Sequence, residues 1–238
     1  MKKTTIYIEG KPFTYDDEIE DISYETISAI SEEDARDLLL TTKKLFNECG
    51  LNFYLTFGTL LGAVRDHGLI EGDEDVDVYI ESEELLRRSL PYLYENGLKV
   101  CRIKENRYYS FHTNNNSYID VYIKGELPIS IWRLWCARIS YSPIPRWYIR
   151  KHDVINFLGI DCLCPHKPER VLRYWYGKNW KIPIKDFHSI YGSPTRYWWR
   201  KYIKPKLSSY WWTFCYISKT LFTHPSLFFK KIRKMISD

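Results

Sequence analysis

The sequence predicts an α+β fold: a small mixed β-sheet with flanking helices, continued by an aromatic and basic C-terminal helical extension. Three observations carry that expectation. Between residues 31 and 125 the apolar pattern switches between helical and strand periods, in the order helix, strand, short helix, strand, helix, strand, strand. The 238 residues suffice for one large domain or a domain with an appendage. Charge is also divided along the chain. Residues 1–100 hold 10 Lys/Arg and 22 Asp/Glu, whereas residues 101–238 hold 25 and 8. The acidic half suits cations; the basic half suits phosphates, nucleic acid or an anionic membrane surface.

Each element follows from local chemistry. "TTIYIEGKPFTY" at 4–15 reads as a hairpin or edge strand, followed by an acidic stretch to about Ile30. "SEEDARDLLLTTKKLFNECG" is the clearest helix. Ser31 caps it, Asp34 holds the capping-box position, and Ala35, Leu38, Leu39, Thr42, Leu45, Phe46 and Cys49 share one face up to Gly50. "LNFYLTF" at 51–57 is a strand, "GTLLGAVRDHG" a short helix opened by Gly58, and "DVDVYI" at 75–80 an alternating strand. In the helix "ESEELLRRSLPYLYENG", Glu83 and Glu84 face Arg87 and Arg88. "KVCRIKENRYYSFHT" and "SYIDVYIKG" are strands around the polar turn "NNN". "LPISIWRLWCARIS" reads as helix or strand. "PERVLRYWYGKNW" contains a helix with Pro168 near its start and Gly177 at its end. The domains expected are an N-terminal hairpin or extension at 1–30, a catalytic domain at 31–195 and a tail at 196–238.

The six cysteines and an N-terminus without an apolar core lead to the expectation of free thiols in a reducing, cytoplasmic compartment. No run of 18 apolar residues is present. In the tail, Leu227, Phe228, Phe229, Ile232, Met235 and Ile236 alternate with Lys230, Lys231, Arg233 and Lys234. Such a face either rests peripherally on the inner surface of the cytoplasmic membrane or packs against protein. No recognised nucleic-acid module accompanies the basic half, so nucleic acid is not an expected partner.

The chemistry concentrates in "FGTLLGAVRDHGLIEGDEDVDVYI", residues 57–80. Residues two apart on a strand share a face, so Asp75 and Asp77 project side by side while Val76 and Val78 point into apolar packing. Like charges so placed raise each other's pKa, and a divalent cation relieves the cost. Hard oxygen donors suit Mg²⁺ or Mn²⁺. Asp120, alone among the apolar and aromatic residues of "SYIDVYI", supplies a third acid if its strand lies beside 75–80. Upstream, Gly58 and Thr59 at a helix N-terminus suit a phosphate, and Arg65 lies within reach of one. A solvated acidic turn explains the carboxylates alone, but not the glycine, arginine and third acid together. Together they point to phosphoryl or nucleotidyl transfer.

These residues closely resemble the signature of the LicD family, which includes phosphorylcholine transferases and fukutin-related proteins. Gly58, Thr59, Leu60, Leu61, Gly62 and Arg65 match its G-T/S-L-L-G-x-x-R run, and Gly68, Leu69 and Ile70 match its middle loosely. Asp73, Asp75 and Asp77 match its acidic end. Glu74 stands where Asp is usual, Gly72 where Trp is usual, and His67 where a basic residue is common. Tyr176, Gly177, Trp180 and Pro183 resemble its Y-G-x-x-W element, and the resemblance covers roughly residues 38–188.

The resemblance implies a nucleotidyltransferase-like fold, an Mg²⁺ or Mn²⁺ cofactor, and transfer of a phospho-alcohol such as phosphocholine from a CDP-linked alcohol donor. The implied acceptor is a sugar hydroxyl of a cell-surface glycan or its lipid-linked precursor. A true nucleotidyltransferase that releases pyrophosphate is one alternative, and a nucleic-acid-binding protein that uses the basic half is a further one. Expected roles follow. Asp75, Asp77 and Asp120 are metal ligands or catalytic groups, with Asp73 at the metal's edge; Asp120 either completes a metal site or accepts a proton. Gly58 and Thr59 cradle a phosphate, Arg65 binds phosphate and acts as a catalytic residue that steadies the transferring or the leaving group, and Tyr176 and Trp180 stack on the donor or pack in a core. Tyr108, Tyr109 and His112 are candidates to line the site. "DCLCPH" invites a zinc reading through Cys162, Cys164 and His166, although C-x-C-x-H is tighter than usual structural spacing.

Overall fold

A computed structural model describes residues 2–17, 29–113, 117–127 and 133–183, together with Ser218. The "NNN" turn and almost all of the tail expected at 196–238 lie outside them. The chain forms two compact units, one of residues 1–125 and 152–165, the other of residues 126–151 and 166–238.

The first unit opens with the antiparallel hairpin β1 (Lys2–Ile8) and β2 (Lys11–Asp17). Helix α1 (Glu32–Glu48) follows, then β3 (Phe53–Leu55), α2 (Phe57–Arg65), β4 (Asp75–Ile80) and α3 (Glu83–Glu95). Strands β5 (Lys99–Lys104), β6 (Tyr108–His112) and β7 (Tyr118–Gly125) come next. The second unit contributes the hairpin β8 (Cys136–Ile139) and β9 (Ser142–Pro145). The chain then returns to the first unit as β10 (His152–Phe157) and β11 (Ile160–Pro165), and leaves it for α4 (Pro168–Tyr176).

The first unit's sheet has the order β10-β11-β3-β4-β7-β6-β5. It is mixed: β11 runs parallel to β3 and β4 parallel to β7, and the other neighbours are antiparallel. Alternation gives the sheet two unlike faces. Val76, Val78, Ile80, Tyr109, Phe111, Ile119, Val121 and Ile123 are buried on one. The helices supply its cover: Leu38, Leu39 and Phe46 of α1 and Leu86, Leu90 and Leu93 of α3 are also buried, with Phe46 edge-on to Phe111. The opposite face carries Asp75, Asp77, Ser110 and Asp120, and α2 packs there beside β4.

Several elements form for the reasons expected. Ser31 Oγ accepts from Asp34 N at 3.0 Å, and α1 ends where Gly50 turns left-handed at φ +71°. The predicted α1 face is buried from Ala35 to Phe46, while Cys49 is half-exposed. Three details differ. "KVCRIKENRYYSFHT" is a complete hairpin, because Asn106 takes a left-handed φ of +59° and turns β5 into β6. β10 and β11 form a further hairpin through Leu158 and Gly159, both at positive φ, and extend the sheet beyond β3. Of the expected pairs on α3, Glu84–Arg88 forms at 2.6 Å. Glu83 instead accepts from the Tyr109 hydroxyl and the Asn106 amide, and Arg87 pairs with Glu105. Among the described residues no helix is long and apolar enough to cross a membrane.

Gly62 has a packing role. A Cβ there would lie 2.5 Å from the carbonyl oxygen of Gly68 and 3.2 Å from the amide of Ile70. Backbone cannot yield as a side-chain tip can. Gly62→Ala is therefore expected to lower stability by about 1–3 kcal/mol, read as a fall in Tm of several degrees in thermal denaturation.

Candidate active site

The site is built on a row of residues across four strands. The register sets Asp77 of β4 opposite Asp120 of β7, Asp120 opposite Ser110 of β6, and Ser110 opposite Arg102 of β5. Asp75 and Tyr118 form the next row. The expected adjacency of the 75–80 strand and the Asp120 strand is thus present, as a parallel pair.

The N-terminus of α2 grips Asp77. Gly58 N donates to Asp77 Oδ2 at 2.9 Å, and Asp77 N donates to Thr59 Oγ1 at 2.7 Å. Gly58 N–H and the Thr59 hydroxyl oxygen, expected at a phosphate, are therefore engaged by Asp77 here. The grip requires a sharp turn: Phe57 opens α2 at φ +41°, a costly conformation for a bulky residue, and sets its ring edge-on to Tyr122 at 4.9 Å. Space beside Gly58 is lined by carboxylates. A Cβ there would lie 3.2 Å from Asp77 Oδ2 and 3.3 Å from Asp73 Oδ2.

Asp120 is held differently. Arg102 Nη2 lies 3.2 Å from both of its oxygens, Ser110 Oγ donates to Oδ1, and the Tyr122 hydroxyl lies 3.4 Å from Oδ2. Arg102 Nε donates to Ser110 Oγ at 3.0 Å, and the guanidinium sits 4.7 Å over the Tyr108 ring. Arg102 and Ser110 belong to no motif. Their signal in the sequence is a polar residue flanked by apolar ones in each arm of a hairpin, meaningful only once the arms are paired.

Electrostatics follows from this crowding. Burial, then the charges of Asp73 and Asp120, push the Asp77 carboxyl up to about 8. Burial, then the Asp77 and Asp120 charges, hold Asp75 well above the usual carboxylate range. Asp73 rises to about 6, mainly through burial. Burial raises Asp120 as well, against the opposing pull of Arg102.

The four acids share one region, yet among the described residues no three His, Cys, Asp or Glu side chains stand close enough to hold a metal ion as they are. The expected convergence of Asp75, Asp77 and Asp120 with Asp73 is therefore incomplete. The reason is visible in the bonding: Arg102 and Ser110 draw Asp120 along its own row, and Gly58 N fixes Asp77 Oδ2.

Other expected residues are placed as follows. Arg65 lies at the far end of α2 from Gly58, about 10 Å along the helix. Its guanidinium forks onto Asp66, at 2.8 and 2.6 Å. Tyr108 and His112 share the face of Ser110, but Tyr109 points the other way and is buried toward Glu83. Tyr176 and Trp180 belong to the second unit. Tyr176 is exposed near the end of α4, while Trp180 is buried beneath Lys181 and walls a cavity of about 510 Å³ with Arg170, Arg173 and Lys178. Cys162 and Cys164 are buried, and burial pushes their thiols up to about 11 and about 12, away from the thiolate that zinc takes. The zinc reading thus finds no ligand set among the described residues.

A mixed sheet flanked by helices, with acids on adjacent strands beside a glycine-opened helix, defines a nucleotidyltransferase-type domain. The family model described as LicD/FKTN/FKRP, nucleotidyltransferase domain, matches residues 50–167. The chain contains a LicD-family domain, and this membership supports a nucleotidyltransferase-type transfer reaction. The chain is 26% identical over 159 residues to mouse (Mus musculus) ribitol-5-phosphate transferase FKTN, covering 64% of this chain and 34% of that protein. It is 25% identical over 170 residues to the human (Homo sapiens) protein of that name, covering 68% and 36%. An uncharacterized protein of Rickettsia typhi is 36% identical over 74 residues, covering 30% of this chain and 23% of that one. The chain spans about a third of the length of the FKTN relatives. Among solved structures, the lincomycin-bound lincosamide antibiotic adenylyltransferase LnuA aligns with a TM-score of 0.42 and 13% identity, over 68% of this chain and 95% of that one.

Proposed function

We propose that this chain is a metal-dependent transferase. In this reading it moves a phospho-alcohol group from a CDP-activated donor to a sugar hydroxyl of a cell-surface glycan or its lipid-linked precursor, and releases CMP. One observation carries the reading: within a LicD-family domain, Asp75 and Asp77 share a sheet face with Asp120 on the neighbouring parallel strand, beside the N-terminus of α2.

The residues present suit Mg²⁺ or Mn²⁺. Asp73 Oδ2 is buried without a hydrogen-bond partner among the described residues, and it flanks with Asp77 Oδ2 the space a Cβ on Gly58 would fill. Hard carboxylate oxygens are the donors such ions prefer. Asp75 and Asp77 would hold the ion, with Asp73 at its edge, Asp120 on the neighbouring strand and donor phosphate oxygens completing the shell. When bound, it supplies neutralising charge to the donor phosphates and the leaving CMP.

The chain's own groups do the rest. Gly58 N–H orients the Asp77 carboxylate, and the helix N-terminus favours its negative charge. Arg102 and Ser110 orient Asp120. Asp120 thereby suits a ligand or orienting role better than that of general base, because a carboxylate engaged by a guanidinium is a weaker proton acceptor.

The test is to supply CDP-ribitol, CDP-choline, CDP-glycerol or CTP with Mg²⁺ and a glycan acceptor, and to measure CMP and pyrophosphate. The name of the FKTN relatives makes CDP-ribitol the first donor to try. CMP release dependent on one CDP-alcohol is the expected result. Pyrophosphate release from CTP, with no CMP from any CDP-alcohol, would replace this reading with nucleotidyl transfer.

A further inference from the structure

We infer that Arg102 is a phosphate-binding residue of this site, anchoring Asp120 with one edge of its guanidinium and presenting the other to the phosphates of a nucleotide donor. The inference rests on the transfer reading and adds a residue that no motif contains.

The bonding divides the guanidinium in two. Nε is used by Ser110 and Nη2 by Asp120. Nη1 makes no hydrogen bond among the described residues, and the side chain is 25% exposed. Two N–H donors therefore remain on a planar fork whose orientation is fixed on two sides. Tyr108 adds a third restraint, its ring centroid lying 4.7 Å from Arg102 Cζ. A fork held this way gives up little rotamer freedom on taking up an anion, and guanidinium geometry matches phosphate oxygens.

Position and charge agree with this. Arg102 reaches back across Ser110 to Asp120, which stands opposite Asp77 in the sheet. Asp73, Asp75, Asp77 and Asp120 together repel a phosphate, so a cation among them lowers the cost of bringing one in. Arg65, the arginine of the motif, is committed to Asp66 by two bonds. Neutralising Asp120 alone would account for Nη2, but not for the second amino group, which makes no hydrogen bond among the described residues on a side chain that is 25% exposed.

The test is calorimetric binding to the full chain in Mg²⁺, with CDP as the donor-type ligand and a hexose 1-phosphate as the acceptor-type one. Arg102→Gln is expected to weaken CDP binding about 10- to 100-fold, the loss of charge-assisted hydrogen bonds, and to leave the sugar phosphate unaffected. Arg102→Lys keeps the charge beside Asp120 but lacks the fork, and should lose several-fold. Circular dichroism establishes folding, and if the glutamine variant fails to fold the lysine variant decides the matter. A folded variant that binds CDP as tightly as wild type overturns the role of Arg102 alone, as does a loss confined to the sugar phosphate. Wild-type protein that binds no CDP overturns the transfer reading and this inference with it.

Discussion

Asp77→Asn is expected to cut transfer by at least about 100-fold while making the metal-free protein more stable. The two effects have one cause. Asp77 is buried beneath α2 with Asp73 and Asp120 nearby, and its carboxyl is pushed up to about 8. Each tenfold displacement of that protonation equilibrium is about 1.4 kcal/mol of penalty on the charged form. Asparagine removes the charge and still offers Oδ1 to the Gly58 amide. A gain of about 1 kcal/mol or more should follow, or at least about 2–4 °C in Tm. Activity falls because an amide is a poor ligand for a hard cation, and losing even an outer-shell partner of a metal commonly costs 10- to 100-fold. Activity assays and thermal denaturation in EDTA check the two halves. An asparagine variant with wild-type turnover would remove the metal role from Asp77.

Stability of the metal-free protein is expected to fall as pH rises from about 4 to about 8. Asp73, Asp75 and Asp77 all have carboxyls raised in the folded state, to about 6, well upward, and to about 8. The folded chain therefore holds more protons than the unfolded chain across this window, and stability declines with pH there. Below pH 4 the groups are protonated in both states and the contribution is fully present; it is lost by the time pH passes the folded value of Asp77. Saturating Mg²⁺ or Mn²⁺ should oppose the decline, because a cation binds the ionised form and stabilises by mass action, about 2.7 kcal/mol at one hundred times its dissociation constant. Tm measured from pH 5 to 8, in EDTA and in metal, tests this. A profile that is flat in EDTA, or unmoved by metal at pH 8, would contradict the arrangement described.

Much of the framework was legible because its signals are local. The Ser31 cap, the periodic α1 face and Gly50 bound one helix without reference to anything distant. The alternation in "DVDVYI" put Asp75 and Asp77 on one face, and strand pairing confirmed that face. The hairpin β10–β11 is not legible locally because its pairing with the central strands is non-local: β11 joins β3 more than 100 residues away in sequence. Tyr109 is a candidate by its strand alone, but a one-residue step along that strand turns it to the opposite face.

By itself the sequence determined which acids could act together and which glycine begins the short helix, since two-residue alternation and backbone permissiveness are properties of the local chain. Tertiary structure alone decided their partners. Asp120 meets Arg102 and Ser110, and Gly58 N–H meets Asp77, because four strands lie in one register and a strained Phe57 turns the helix onto them. Register is set by burial of the whole apolar face at once, and no short stretch of residues encodes that sum.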